Sequence, residues 1–446
     1  MANDLLGDEA GADGRHEWAD ARVAGPWRRL ATADGLVASA LVALAFWNQP
    51  LGRIEGINLR PDWTASVLAL AWAVHAVARR RPLLPVPVLA SLGGFAGVQL
   101  LSSALNAAAW PAGLKFSLLY VLGLAYAVAV FTATARETMA RWALTLVIGL
   151  GLAEALFGMI SVLLLNVRGV SLGGASLNSI GVAAARGTMS ERNLFSSLLL
   201  VPYALALWRW GPMPRRSWPI ALAVTGMTAG ISFGLTRAVW VAAAGIVVVW
   251  WWRVRPGRAK LLAVTLAGIL GALTLTTSEL LAVERAQMQM GLYDRLLRYS
   301  VQGSDPPAAT RLEEVHTSAA GWRKAPWLGH GAGSVIGLEQ FVGEMARLKK
   351  RRHAWVGNVC FMILHDAGLV GLMMFGGVVV TVAWDVWRTA RLARNDGLQA
   401  EREAIAAGLV AVLLAWQTTN GLWLMYGYAF TGLLLSLNAL ARGRPA

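Results

Sequence analysis

Apolar runs of about 16 to 26 residues recur from one end of this chain to the other, separated by short polar, glycine- or proline-containing stretches. A run of that length, wound as a helix rising about 1.5 Å per residue, matches the ~30 Å hydrocarbon layer of a bilayer. The pattern predicts about twelve spans, near 32–48, 62–78, 83–105, 115–134, 142–165, 193–208, 217–234, 237–252, 260–277, 359–384, 402–420 and 423–441. The start of the tenth, Val359 to Asp366, reads as an entry turn rather than a lipid-facing helix. One long polar stretch breaks the rhythm, from Ser278 to Asn358. Loops of that length are functional or disordered. Within it, Arg311 to Trp322 reads as an amphipathic helix, followed by a glycine-rich turn from Pro326 to Ser334. The expected fold is therefore all-α: a polytopic transmembrane bundle with one long, partly helical extracytoplasmic loop. The expected division is 1–30 as a cytoplasmic segment, 31–277 as about nine spans, 278–358 as the loop, and 359–446 as about three spans with a short tail.

Composition agrees with the pattern. The chain has 446 residues, 56% of them hydrophobic and 15% charged, with a mean hydropathy of +0.52. Soluble domains carry about 25% charged residues. The first 30 residues are polar and mixed in charge, without the short apolar core of a cleavable signal. The single Cys360 excludes an intrachain disulfide framework and a multi-cysteine metal site.

Charge adds orientation. The net charge is +15, but its distribution decides more than its sum. No nucleic-acid-binding motif is present. With the N terminus inside, 22 of the 40 Lys/Arg fall in cytoplasmic pieces, among them Arg79–Arg81, Arg136, Arg141, Arg209, Arg253 and Arg442. Only seven fall in short outside loops: Arg53, Arg60, Lys115, Arg168, Arg186, Arg192 and Arg237. The long segment holds the other 11, and long loops do not count in the positive-inside rule. Both termini are expected in the cytoplasm and the long loop outside.

Candidate chemistry lies where cations break that rule. Arg186 to Ser196 closes one outside loop and opens a helix that Asn193 or Ser190 is placed to cap. A helix start flanked by guanidinium groups suits a phosphate. Arg237 sits between two apolar runs, a position that favours a cavity or a partner, or snorkelling to the interface. Arg311 opens the loop helix. Glycines 329, 331 and 333, with His330 among them, permit positive φ and close ligand approach to backbone N–H groups. Within the spans, Glu154, His75 and Asp366 need partners. A transporter would use such groups for proton coupling, although they show no inverted-repeat symmetry.

Taken in order, these motifs resemble the superfamily of O-antigen ligases and Wzy-type O-unit polymerases. The resemblance rests on Arg186-Gly-Thr-Met with Arg192-Asn-Leu-Phe, on Thr236-Arg-Ala-Val-Trp240, on Arg311 to Trp322 with Pro326 to Ser334, and on Asn358 with Gly368-Leu-Val-Gly371. It implies an integral-membrane glycosyltransferase of GT-C-like type in the bacterial cytoplasmic membrane. It implies a polyprenyl-pyrophosphate-linked glycan as donor and a glycan or glycolipid hydroxyl as acceptor, beside membrane lipid and other polysaccharide-assembly proteins. No nucleotide, cofactor or metal is expected, because arginines can stabilise the departing pyrophosphate. Arg186, Arg192, Asn193, Arg237, Arg311, His330, Gly331 and Gly333 are the expected substrate-binding residues. The family's closing His-Asn pair reads Gly357-Asn358 here. This tilts the expectation toward polymerase over ligase and leaves the base to His353, with Asn358 and Asp366 as alternatives that orient the acceptor. A lipid or polysaccharide flippase, or a scaffold whose loop binds a partner, is the competing class.

Overall fold

The computed structural model describes residues 32–54, 57–106, 110–177, 183–212, 217–286, 306–334, 357–393 and 397–443. It is mostly helical, and each expected apolar run overlaps a helix. In order these are α1 (Ala33–Ala45), α2 (Pro61–Ala78), α3 (Val86–Leu105), α4 (Trp110–Ala133) and α5 (Glu137–Arg168). Then come α6 (Arg192–Leu198), α7 (Leu200–Trp210), α8 (Trp218–Phe233), α9 (Arg237–Val254) and α10 (Arg258–Ala286). The rest are α11 (Pro306–Lys324), α12 (Val359–Leu392), α13 (Gln399–Ala415) and α14 (Met425–Ala441). Among the described residues, two antiparallel strand pairs complete the elements, β1 (Gly52–Ile54) with β2 (Ile57–Leu59) and β3 (Ala175–Leu177) with β4 (Ala183–Ala185). Among the described residues, six helices are long and apolar enough to cross a membrane: α3, α4, α5, α9, α10 and α12.

Small residues let the helices approach closely, as packing within a bilayer requires. Gly432 of α14 lies against the backbone of Ala127 on α4, and Gly408 of α13 against that of Val201 on α7. Gly230 of α8 lies against Ala155 on α5, and Gly271 of α10 against Ala229 on α8.

Three local features differ from the sequence reading. The run at 193–208 is divided at Leu199 into α6 and α7. Pro202 explains this, since it offers no N–H to the carbonyl four residues back. Val359 to Asp366 is helix rather than an entry turn, and α12 breaks instead at Gly368, with φ 63° and ψ −162°. The helix α10 runs on to Ala286, into the segment expected as loop, because Leu, Ala and Glu there favour helix.

Ion pairs gather the basic termini at one end of the bundle. Arg81 pairs with Asp34 at 2.6 Å, Arg253 with Glu403 at 2.8 Å and Arg209 with Glu401 at 3.5 Å. Arg442 pairs with Asp385 at 2.6 Å, and Arg141 reaches the Gly397 carbonyl. The starts of α6, α9 and α12 lie at the opposite ends of helices that these pairs tie together.

Candidate functional site

The loop before α6 is fixed from three directions. Glu154, 8% exposed on α5, accepts from Thr188 N at 2.9 Å and contacts Thr188 Oγ1 at 2.5 Å. That hydroxyl also contacts the Phe46 carbonyl at 2.6 Å. The one hydroxyl proton is shared between these two acceptors or turns from one to the other. Gln49 Nε2 lies within hydrogen-bond distance of the carbonyls of Gly173, Gly187 and Met189, at 2.9, 2.8 and 3.1 Å. Asn48 accepts from Ser190 Oγ and donates to Asp62, which Arg60 holds at 2.9 Å. Gly187 has φ +55°, and a Cβ there would lie 2.2 Å from Glu154 Oε2. The Arg-Gly-Thr sequence thus has a local reason: glycine clears the carboxyl and threonine bonds to it.

This loop leads to α6, whose N-cap position is Glu191, without a side-chain cap bond. Neither residue expected as the cap serves as one. Ser190 donates to Asn48, and Asn193 Oδ1 accepts from Thr236 Oγ1 at 2.9 Å. That bond, between residues 43 apart, joins the starts of α6 and α9. Arg192 and Arg237 are the first residues of those two helices. Arg186 stands on the preceding loop, its Nε donating to the Gly173 carbonyl at 2.9 Å.

The glycine turn and the broken helix α12 form a second unit. Leu369 N donates to the Pro326 carbonyl at 2.8 Å and Val370 N to Trp327 O at 3.2 Å. In return His330 N and Gly331 N donate to the carbonyls of His365 and Asp366, both at 2.9 Å. Gly329 and Gly368 both have positive φ. A Cβ at Gly329 would come within 2.5 Å of the His365 and Asp366 backbone, and one at Gly368 within 2.3 Å of Trp327. Two backbones cross here at a distance only glycine permits.

Residues 220–376 match the O-antigen ligase family.

This match runs from α8 into α12 and includes Thr236–Trp240, the glycine turn and Gly368–Gly371. It agrees with the resemblance drawn from the motifs. With the apolar helices it supports a membrane glycan transferase of ligase or polymerase type. No curated protein matches the chain. Arg186–Asn193 lies outside the O-antigen ligase match, yet the Asn193–Thr236 bond holds it to the matched part.

The expected roles of the turn and of α12 change in this light. The sequence reading has the turn offer N–H groups to a ligand; those of Gly329 to Ser334 have protein acceptors in the structure. Besides His330 N and Gly331 N, Ala332 N donates to Ser103 Oγ at 2.9 Å and Gly333 N to Asp366 Oδ2 at 2.8 Å. The His330 ring donates through Nε2 to the Gly321 carbonyl at 2.8 Å and lies 4.9 Å from the His365 ring. Asp366 is 1% exposed and also receives Ser334 Oγ. Asn358 caps α12, its Oδ1 accepting from Cys360 N and Phe361 N, while Nδ2 donates to Gln417 O. Arg311 lies in α11, and His353 falls outside the described residues.

The two units are joined by side chains that the sequence did not mark. Ser197 of α6 bonds to Tyr426 OH at 2.8 Å, and Trp416 Nε1 donates to the same oxygen at 3.1 Å. The Trp416 carbonyl then accepts from Val359 N. Glu314 of α11 closes the path, its Oε2 accepting from Gly357 N at 2.8 Å. Gly357 stands where the resemblance expects histidine, and a Cβ there would meet the Thr418 carbonyl at 3.1 Å and Glu314 Oε2 at 3.3 Å.

Proposed function

We propose that this protein transfers a glycan from a polyprenyl pyrophosphate to a sugar hydroxyl at the outer face of the bacterial cytoplasmic membrane. The observation that carries this is the Asn193–Thr236 bond, which sets Arg192 and Arg237 at two adjoining helix starts. Helix N-termini and guanidinium groups together favour a phosphate, and paired guanidinium groups hold two phosphates bidentately. In this reading Arg186, Arg192, Arg237 and Arg311 hold the pyrophosphate as its charge develops, in place of a metal ion. His330, Gly331 and Gly333 shape the wall of the donor site through the turn they build. Polymerase is favoured over ligase to a lipid A core, because Gly357 stands at the position of the ligase pattern's histidine.

The test is glycan transfer by the purified, membrane-embedded protein from a defined lipid-linked donor. Arg237→Lys is expected to lower kcat about 100-fold with normal protein yield, since a point charge does not replace a planar fork. Wild-type turnover by that variant would remove the phosphate-holding role.

A further inference from the structure

We propose that the groove between α12 and α13 binds an anionic phospholipid, with one acyl chain along the groove and the phosphate on Arg388 and Arg391. The groove is a cavity of about 450 Å³. Phe375, Val382 and Trp387 of α12 form one wall, Leu409 and Leu413 of α13 the other, and Leu434 of α14 lies between them. Val379 and Val410 also line it and are exposed, so it opens toward the surrounding bilayer. Such walls offer water no hydrogen bonds, whereas a hydrocarbon chain gains dispersion contacts along their whole length. From Phe375 to Trp387 the helix rises about 18 Å. One leaflet of the hydrocarbon layer is about 15 Å deep, so the length suits a single acyl chain.

Charge fixes the head-group end. Arg391 stands one turn beyond Trp387, and its guanidinium carbon lies 3.8 Å from the centroid of the Trp387 ring. Stacking on the ring face leaves the N–H edge of the guanidinium for other partners, and that edge grips a phosphate bidentately. Trp384 packs on Trp387 with centroids 4.6 Å apart, and both rings are exposed, as tryptophans at a membrane interface are. Arg402 of α13 donates to the Ala393 carbonyl at 3.2 Å and ties the two helices together beyond this mouth.

The other arginines at this end, Arg81, Arg209, Arg253 and Arg442, each hold a carboxylate. These pairs take Asp385, Glu401 and Glu403. Among the described residues Arg388 and Arg391 pair with no carboxylate, and both are exposed. A free phosphate would leave the groove empty, and a neutral lipid would leave the arginines unmatched. A phosphate that carries an acyl chain meets both. The sequence reading puts this end in the cytoplasm, so the lipid belongs to the inner leaflet.

Native mass spectrometry of the full-length protein, titrated in detergent with phosphatidylglycerol or phosphatidylcholine, tests this. The expected result is one phosphatidylglycerol retained at least about tenfold more tightly than phosphatidylcholine, as two cations beside a phosphate warrant. The double variant Arg388→Gln/Arg391→Gln should lose that preference. Leu409→Trp, which fills the groove, should weaken retention of both lipids. Equal retention of the two lipids by the wild type overturns the proposal, and so does a preference that survives in the arginine variant. Both arginines are exposed, so that variant tests the site even where Leu409→Trp fails to fold. A dimer that Val410→Arg splits would put a second copy of this chain in the groove, and overturns the proposal too.

Discussion

At the scale of single residues, the contacts around Thr188 make a sharp prediction about Glu154. A glutamine at 154 can accept from Thr188 N and donate to Thr188 Oγ1, whose own proton then goes to the Phe46 carbonyl, so every polar group keeps a partner although the second bond is reversed. Glu154→Gln is therefore expected to unfold within about 0.5 kcal/mol of wild type, measured in detergent by a denaturant titration. Glu154→Leu leaves the Thr188 N–H buried without its acceptor and should cost about 1–3 kcal/mol. The same pair separates the function classes. A proton-coupled transporter that cycles a proton on Glu154 would be silenced by glutamine as fully as by leucine. Gly187→Ala is a companion case, since a Cβ would meet Glu154 Oε2 at 2.2 Å and φ is +55°. Overpacking and positive φ together should cost a few kcal/mol, about 2–4.

At the scale of elements, the glycine turn and the interrupted α12 act as one joint. Its four backbone bonds require α12 to be broken at Gly368. Gly368→Ala would press a methyl group into the Trp327 backbone and penalise the φ of 63°. The expected outcome is a loss of about 2–4 kcal/mol in stability, with loss of transfer, read as a lowered melting midpoint. The joint between α6 and α9 is lighter. Thr236→Val removes one hydrogen bond to Asn193, worth about 1 kcal/mol, and loosens the two arginine-bearing helix starts. A rise in donor KM that Thr236→Ser restores is expected. An unchanged KM in the valine variant would show that the bond does not set the arginines.

At the scale of the whole molecule, the separation of charge predicts topology. The paired arginines at one end, Arg81, Arg209, Arg253 and Arg442, are four of the 22 Lys/Arg that the sequence reading puts inside. A reporter fused near Gly303 should read as outside, and one after Arg394 as inside. A cytoplasmic signal at Gly303 would put α11 on the wrong side of the membrane for a lipid-linked donor flipped outward.

Helix positions and charge asymmetry were legible in the sequence, because each depends on residues close together in the chain. An apolar run of a given length favours a helix through its own residues, and an arginine in a short loop counts toward orientation through its place in the chain. The motifs were legible too, but as separate stretches. Only the tertiary structure pairs them: Asn193 with Thr236, and Gly329 with the chain around Gly368. It also shows Asn358 capping α12, and gives the N–H groups of Gly329 to Ser334 protein acceptors. Tyr426 and Glu314 left no signal in the sequence, since a lone tyrosine in an apolar run and a lone glutamate on a polar helix are ordinary there. Their roles exist only through partners 229 and 43 residues away. Local composition does not encode which distant backbone will lie within hydrogen-bond reach. That is decided by how the helices pack, and here by the glycines that let two chains cross.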